Sequence, residues 1–207
     1  MSGPRRSSGS WRDRQERDPY VRKAREQGYR SRAVFKLEQL DKKEHLLRPD
    51  MTVVDLGAAP GGWSQYATER LKGRGRILAI DLLAMDHLPD VEFVQGDFTE
   101  EPVLEDLLER LGDGRVDLVM SDMAPNISGT KAVDQPRSMY LAELALDFCR
   151  HSLGKNGDFV CKLFQGAGID AFIADARQAF ARVKVVKPDA SRSGSSEVYL
   201  VARNYRV

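Results

Sequence analysis

The chain has 207 residues, 42% hydrophobic and 30% charged, which suits a single globular domain with enough length to bury a core. No stretch approaches the roughly 18 apolar residues of a membrane span, and the start, MSGPRRSSGSWRDR, lacks the apolar centre of a secretory signal, so a cytoplasmic setting without membrane contact is expected. The net charge of +1 hides an asymmetry: residues 1–36 hold eleven Lys/Arg against four Asp/Glu, and the rest of the chain is acidic by six charges.

A basic arm on a mildly acidic body suggests a polyanionic partner, since each Lys or Arg brought to a phosphate releases counterions. Residues 1–17 are rich in Ser, Gly and Arg and are expected to form a flexible basic tail, with residues 18–207 as one domain. Ten basic residues between Arg5 and Arg32 are expected to reach phosphates. SRAVFKLEQLDKKEHLL then reads as a helix, with Ser31 as N-cap and Ala33, Leu37 and Leu40 on one face.

From there strands and helices alternate. TVVDLG, RILAIDL, VEFVQGDF, VDLVMSD and DFVCKLF are short apolar runs without strict alternation, as in strands covered on both faces. Between them GGWSQYATERL, EPVLEDLLERLG and QPRSMYLAELALDFCRHSLG read as helices. The helical pattern IDAFIADARQAFARV precedes two last strands, VKVVKP and EVYLVA. The link between those two is too short for a helical crossover, so EVYLVA is expected to run antiparallel. The pattern predicts an α/β, Rossmann-like fold, a mostly parallel seven-stranded sheet with one antiparallel strand and helices on both faces.

In such a sheet ligands bind beyond the carboxyl ends of the strands. The first strand runs into GAAPGG, whose glycines let a loop turn sharply and let bare backbone approach a ligand. The GxxxGG spacing differs from the GxGxxG that cradles a pyrophosphate, which favours an uncharged or zwitterionic nucleoside over a dinucleotide. A nicotinamide dehydrogenase is disfavoured on the same ground. Asp81 ends the second strand, where a carboxylate can accept both ribose hydroxyls. Asp97 ends the third, suited to an exocyclic amine, and Asp122 ends the fourth. Trp63 has two readings, pocket wall or core.

Lys162 lies inside the apolar strand VCKLF, where a lysine is costly unless its tip reaches the cleft. Asp122 should share that end of the sheet, with Glu197 opening the last strand and Lys36 on the preceding helix. Two lysines and two carboxylates converging there suggest removal of a proton from an alcohol. Cys149 and Cys161 lie in apolar runs without CxxC spacing, and His45, His87 and His151 are scattered, so buried thiols and no metal centre are expected.

DLGAAPGGWSQ, SDMAPNISG, CKLFQG and PDASRSGSSEVYLVA together closely resemble the RrmJ/FtsJ (RlmE) group of ribosomal RNA large-subunit 2′-O-ribose methyltransferases, over about Tyr29 to Ala202. The resemblance implies a methyltransferase fold and S-adenosylmethionine as methyl donor, with no metal. It implies a Lys-Asp-Lys-Glu reaction centre at Lys36, Asp122, Lys162 and Glu197, and cofactor contacts at Gly61, Trp63, Asp81, Asp97 and Asp122. The implied substrate is a uridine in the A-loop of large-subunit rRNA in the assembled subunit, with no obligate protein partner. Lys162 would be the general base, oriented by Asp122. Alternatives within the resemblance are a tRNA anticodon loop or an mRNA cap as substrate, or a non-catalytic ribosome-assembly factor.

Overall fold

The computed structural model describes residues 18–206. The expected basic tail of residues 1–17 lies outside them. In chain order the elements are α1 (Pro19–Glu26), α2 (Val34–Glu44), β1 (Met51–Leu56), α3 (Gly62–Leu71), β2 (Gly75–Asp81), β3 (Val91–Gln95), α4 (Glu101–Leu111), β4 (Val116–Ser121), α5 (Lys131–Ser152), β5 (Leu153–Phe164), α6 (Ile169–Ala179), β6 (Phe180–Val186) and β7 (Glu197–Tyr205). They build a seven-stranded sheet of order β3-β2-β1-β4-β5-β7-β6. Strands β1 to β5 pair in parallel, while β7 is antiparallel to both β5 and β6.

The sheet divides the core in two. Alternate residues of β1, Val54 and Leu56, face one side with Leu107, Leu146 and Phe172 from α4, α5 and α6. Val53 faces the other, with Phe35, Leu37 and Leu40 of α2 and Ala67 of α3. Period-two strands covered on both faces give this three-layer packing, which brings the loops after β1, β2, β3, β4 and β5 to one end of the sheet.

Three boundaries depart from the sequence reading. Helix α5 begins at Lys131, not Gln135, although Pro136 lies inside it. Pro136 cannot donate to the carbonyl one turn earlier. Residue 132, which carries that carbonyl, is exposed, so water can take its place. Asp134 meanwhile accepts from the backbone of Ser128 and Gly129 at 2.8 and 3.0 Å and ties the extra turn to the preceding loop. Helix α6 ends at Ala179 because Phe180 packs on the sheet, stacked on Phe159 with centroids 6.2 Å apart. Ser31 is not the N-cap: its Oγ accepts from Ala33 N at 3.1 Å, Ala33 caps α2, and the helix starts at Val34, two residues beyond the expected start.

Candidate active site

The glycine loop follows directly from β1. Gly57 has φ +79°, and a Cβ there would lie 2.8 Å from Met123 Cγ and 3.0 Å from the Met123 backbone. The loops after β1 and β4 therefore approach too closely for any side chain at position 57. Gly61, at φ +106°, would drive a Cβ to 2.9 Å from Met85 Sδ and 3.0 Å from Leu88 Cδ1. Its bareness serves packing against the loop after β2. Beneath the loop, Asp55 is fully buried, and its Oδ2 accepts from Ser64 Oγ at 2.6 Å, joining β1 to α3. Asp55 Oδ1 has no hydrogen-bond partner among the described residues. Burial, opposed by the Ser64 hydroxyl and reinforced by Asp122 and Asp81, pushes this carboxyl up to about 7.

A cleft of about 480 Å³ opens beside the loop, lined by Gly57 and Ala59 from it and by Asp81, Asp97 and Asp122 from the ends of β2, β3 and β4. The structure thus brings the three carboxylates into one wall system, with Leu82, Phe98 and Tyr140 as apolar surfaces between them. Asp81 accepts from Ala59 N at 2.9 Å and Leu83 N at 2.8 Å, so it also fixes both loops. Asp97 uses Oδ1 for the backbone N–H and hydroxyl of Thr99, at 2.9 and 2.7 Å. Those bonds hold its carboxyl below the usual range. A second lone pair on each Asp81 oxygen, and Asp97 Oδ2, remain for a ligand.

Lys36, Asp122, Lys162 and Glu197 converge at the far side of Asp122, where two ion pairs meet. Lys162 Nζ lies 3.1 Å from Asp122 Oδ1 and donates to the Asp122 carbonyl at 2.5 Å. Lys36 Nζ lies 2.8 Å from Glu197 Oε1 and 2.9 Å from Oε2. Tyr199 joins the pairs: its hydroxyl donates to Asp122 Oδ1 at 2.7 Å, and Lys36 Nζ sits 5.8 Å from its ring centroid. Ser191 Oγ donates to Glu197 Oε1 at 2.8 Å. All four charged side chains are largely buried, a costly arrangement unless each charge is answered, as it is here.

Burial pushes the Asp122 carboxyl up, but Lys162, Lys36 and the Tyr199 hydroxyl outweigh it and hold it below its usual range. Asp122 is therefore a carboxylate. Burial first, then the charges of Asp122 and Glu197, push the Tyr199 phenol well above its usual range, so it stays a neutral donor. The group offers a fixed carboxylate and a lysine amine 3.1 Å from it, at the edge of a cleft. Such an amine can receive a proton once neutral.

The sequence reading missed Tyr199 and Ser191. Tyr199 stands two residues after Glu197, on the same face of β7, and directly opposite Lys162 in the β5–β7 register. That alternation was a usable signal. The Trp63 side chain does not line the cleft: its indole is buried against Tyr199, centroids 5.7 Å apart, and donates to Ala33 O at 2.9 Å.

Two of the arginines expected to reach phosphates are committed elsewhere. Arg30 donates to the carbonyls of Asp86 and His87, both at 2.7 Å, and clamps the loop after β2. Arg32 pairs with Asp18 at 3.2 Å and donates to Ala190 O at 2.5 Å. Arg22, Lys23 and Arg25 of α1 stay exposed. Both cysteines are free and buried, and no cluster of three or more His, Cys, Asp or Glu among the described residues is placed to hold a metal ion.

Residues 29–205 match the family model of FtsJ-like methyltransferases. A solved structure of a Plasmodium falciparum protein assigned as a ribosomal RNA methyltransferase is 32% identical, covering 86% of this chain and 98% of that one, with a TM-score of 0.76. A chain of a fibrillarin/Nop5p complex superposes with a TM-score of 0.58 over 82% of this chain and 81% of its own, at 17% identity. That second likeness is one of fold.

Proposed function

The chain belongs to the FtsJ-like methyltransferase family, and on that premise we propose that it methylates the ribose 2′-oxygen of a uridine in the A-loop of large-subunit rRNA, within the assembled subunit and in the cytoplasm. The observation that carries this reading is the meeting of Lys36, Asp122, Lys162 and Glu197 beside a cleft that shares Asp122 with them.

S-adenosylmethionine fits that cleft. Its cationic sulfonium and ammonium suit a wall of three carboxylates, its ribose suits the free lone pairs of Asp81, and its adenine suits Asp97 beside Leu82 and Phe98. The methyl it supplies is already activated by the sulfonium charge, so the chain's own task is alignment and the removal of one proton.

Lys162, having first given up its own proton, takes the proton of the 2′-hydroxyl as the oxygen bonds in line to the methyl and the methyl's bond to sulfur breaks, which leaves a neutral thioether. Asp122 orients the lysine through its carboxylate and backbone carbonyl, and Tyr199 holds Asp122. Lys36, fixed by Glu197, sits where it can hold the ribose and steady charge on the attacking oxygen. No step requires a metal. The similar Plasmodium protein's assignment to ribosomal RNA supports the rRNA reading over other RNA substrates.

The test is transfer in vitro. With labelled S-adenosylmethionine and unmethylated large subunits, digestion to nucleosides should yield labelled 2′-O-methyluridine. Label on a base, or transfer to tRNA alone, would refute the reading.

A further inference from the structure

Resting on that reading of the donor cleft, we infer that Arg30 is a positioning residue for S-adenosylmethionine: its guanidinium holds together the two loops that form one side of the cleft, and it is not a contact to RNA. The segment that carries it, between α1 and α2, is strapped along α3. Gln65 Oε1 accepts from Arg30 N at 3.1 Å, and Gln65 Nε2 donates to Gly28 O at 3.0 Å. Tyr29 Oη donates to Glu69 Oε2 at 2.8 Å, and the Trp63 indole donates to Ala33 O at 2.9 Å. A Cβ on Gly62 would lie 3.1 Å from Ser31 Cβ, so strap and helix meet closely.

From that seat the Arg30 side chain reaches both cleft loops. Nη1 donates to Asp86 O at 2.7 Å and to Pro60 O at 3.3 Å, and Nη2 donates to His87 O at 2.7 Å. Pro60 belongs to the loop after β1, and Asp86 and His87 to the loop after β2. Asp81 joins the same two loops, accepting from Ala59 N and Leu83 N. One carboxylate thus gathers their N–H groups, and one guanidinium gathers their carbonyls. Asp81 lines the cleft and Arg30 does not, so Arg30 acts on a ligand through the loops alone.

The loop after β2 needs that hold. Residues 82–90 contain no helix or strand, and among the described residues no other hydrogen bond reaches residues 84–87. Yet this loop carries Leu82 and Leu83, 60% and 67% exposed, into the cleft lining. A wall that a ligand must first order costs affinity, whereas a wall held beforehand does not. The guanidinium suits the task because it spreads its donors over nitrogens at fixed spacing, where lysine offers a single nitrogen.

The test uses full-length protein, with S-adenosylhomocysteine (the donor after loss of its methyl) titrated by calorimetry and large subunits titrated over a range of salt. Arg30→Met keeps the aliphatic stem and removes every donor. It should weaken S-adenosylhomocysteine binding by roughly 10- to 100-fold, the worth of one hydrogen bond from a charged group, and raise KM for S-adenosylmethionine with it. Its affinity for subunits and the salt dependence should match the parent's. Arg30→Lys should lose less than Arg30→Met yet still bind more weakly than the parent. Parent-like S-adenosylhomocysteine affinity in either variant overturns the inference, and Arg30→Lys keeps that outcome readable if Arg30→Met does not fold. Weaker subunit binding with a flatter salt slope and unchanged S-adenosylhomocysteine affinity would also overturn it, by returning Arg30 to the phosphates. A parent protein that does not bind S-adenosylhomocysteine would overturn the donor-cleft reading as well.

Discussion

At the scale of single residues, chemistry depends on which charges are fixed and which proton can move. Asp122 is held as a carboxylate and receives Lys162, so Lys162→Ala should leave S-adenosylhomocysteine binding intact and lower methyl transfer by on the order of 10²-fold or more. Near-normal turnover at saturating substrates would remove Lys162 as base. Tyr199→Phe keeps the ring against Trp63 but deletes the bond to Asp122 Oδ1. The loss of one hydrogen bond to a charged group predicts a fall in transfer of roughly 10- to 100-fold, read as kcat with KM for RNA unchanged. Lys162 and the acids were legible in the sequence because charges in apolar strands or at strand ends are conspicuous. Tyr199 was only half legible: its alternation with Glu197 gave the face, but an aromatic in a strand reads as core until its register opposite Lys162 is known. Arg30 and Arg32 looked like free charges for the same reason: backbone carbonyl partners leave no trace in sequence.

At the scale of elements, β1, its loop and α3 form one unit, pinned from below by Asp55 and Ser64 and from the side by Asp81. Asp55 is the weak point of that unit. Its carboxyl keeps a proton up to about 7 in the folded chain, whereas the ordinary value is 3.8. Raising pH across that window therefore favours the unfolded chain, which has already released its proton. The penalty is absent below the lower value and complete above the upper one, and a gap of this size is worth roughly 4 kcal/mol. Asp55→Asn cannot ionise and can still accept from Ser64. Its melting temperature should match the parent's near pH 4 and exceed it increasingly toward pH 8; parallel profiles would contradict this. Element order and the antiparallel last strand were legible from apolar runs and link lengths. The early start of α5 was not, because Pro136 reads as a helix start until the hold of Asp134 on the preceding loop is seen.

At the scale of the whole molecule, charge and chemistry are segregated: acids gather at the donor cleft, and basic residues at the N-terminal arm. Arg22, Lys23 and Arg25 are exposed on α1, which is joined to the segment before β7 by Asp18 through Arg32 and Arg192. We expect deletion of residues 1–17, which removes five arginines, to weaken binding to large subunits and flatten its salt dependence, each lost phosphate contact changing the slope by about 0.7 to 0.9. S-adenosylhomocysteine affinity should not change. An unaltered salt slope would confine RNA binding to α1 and the loops. The central claim is that this reaction centre methylates one ribose in large-subunit rRNA, and a map of 2′-O-methyl positions in total RNA tests it most directly. The comparison is between cells carrying the gene, cells lacking it, and cells carrying only Lys162→Ala. The account predicts that a single A-loop uridine loses its methyl in both altered strains while every other position keeps its own. An unchanged map, or a lost methyl elsewhere with the A-loop intact, would contradict it.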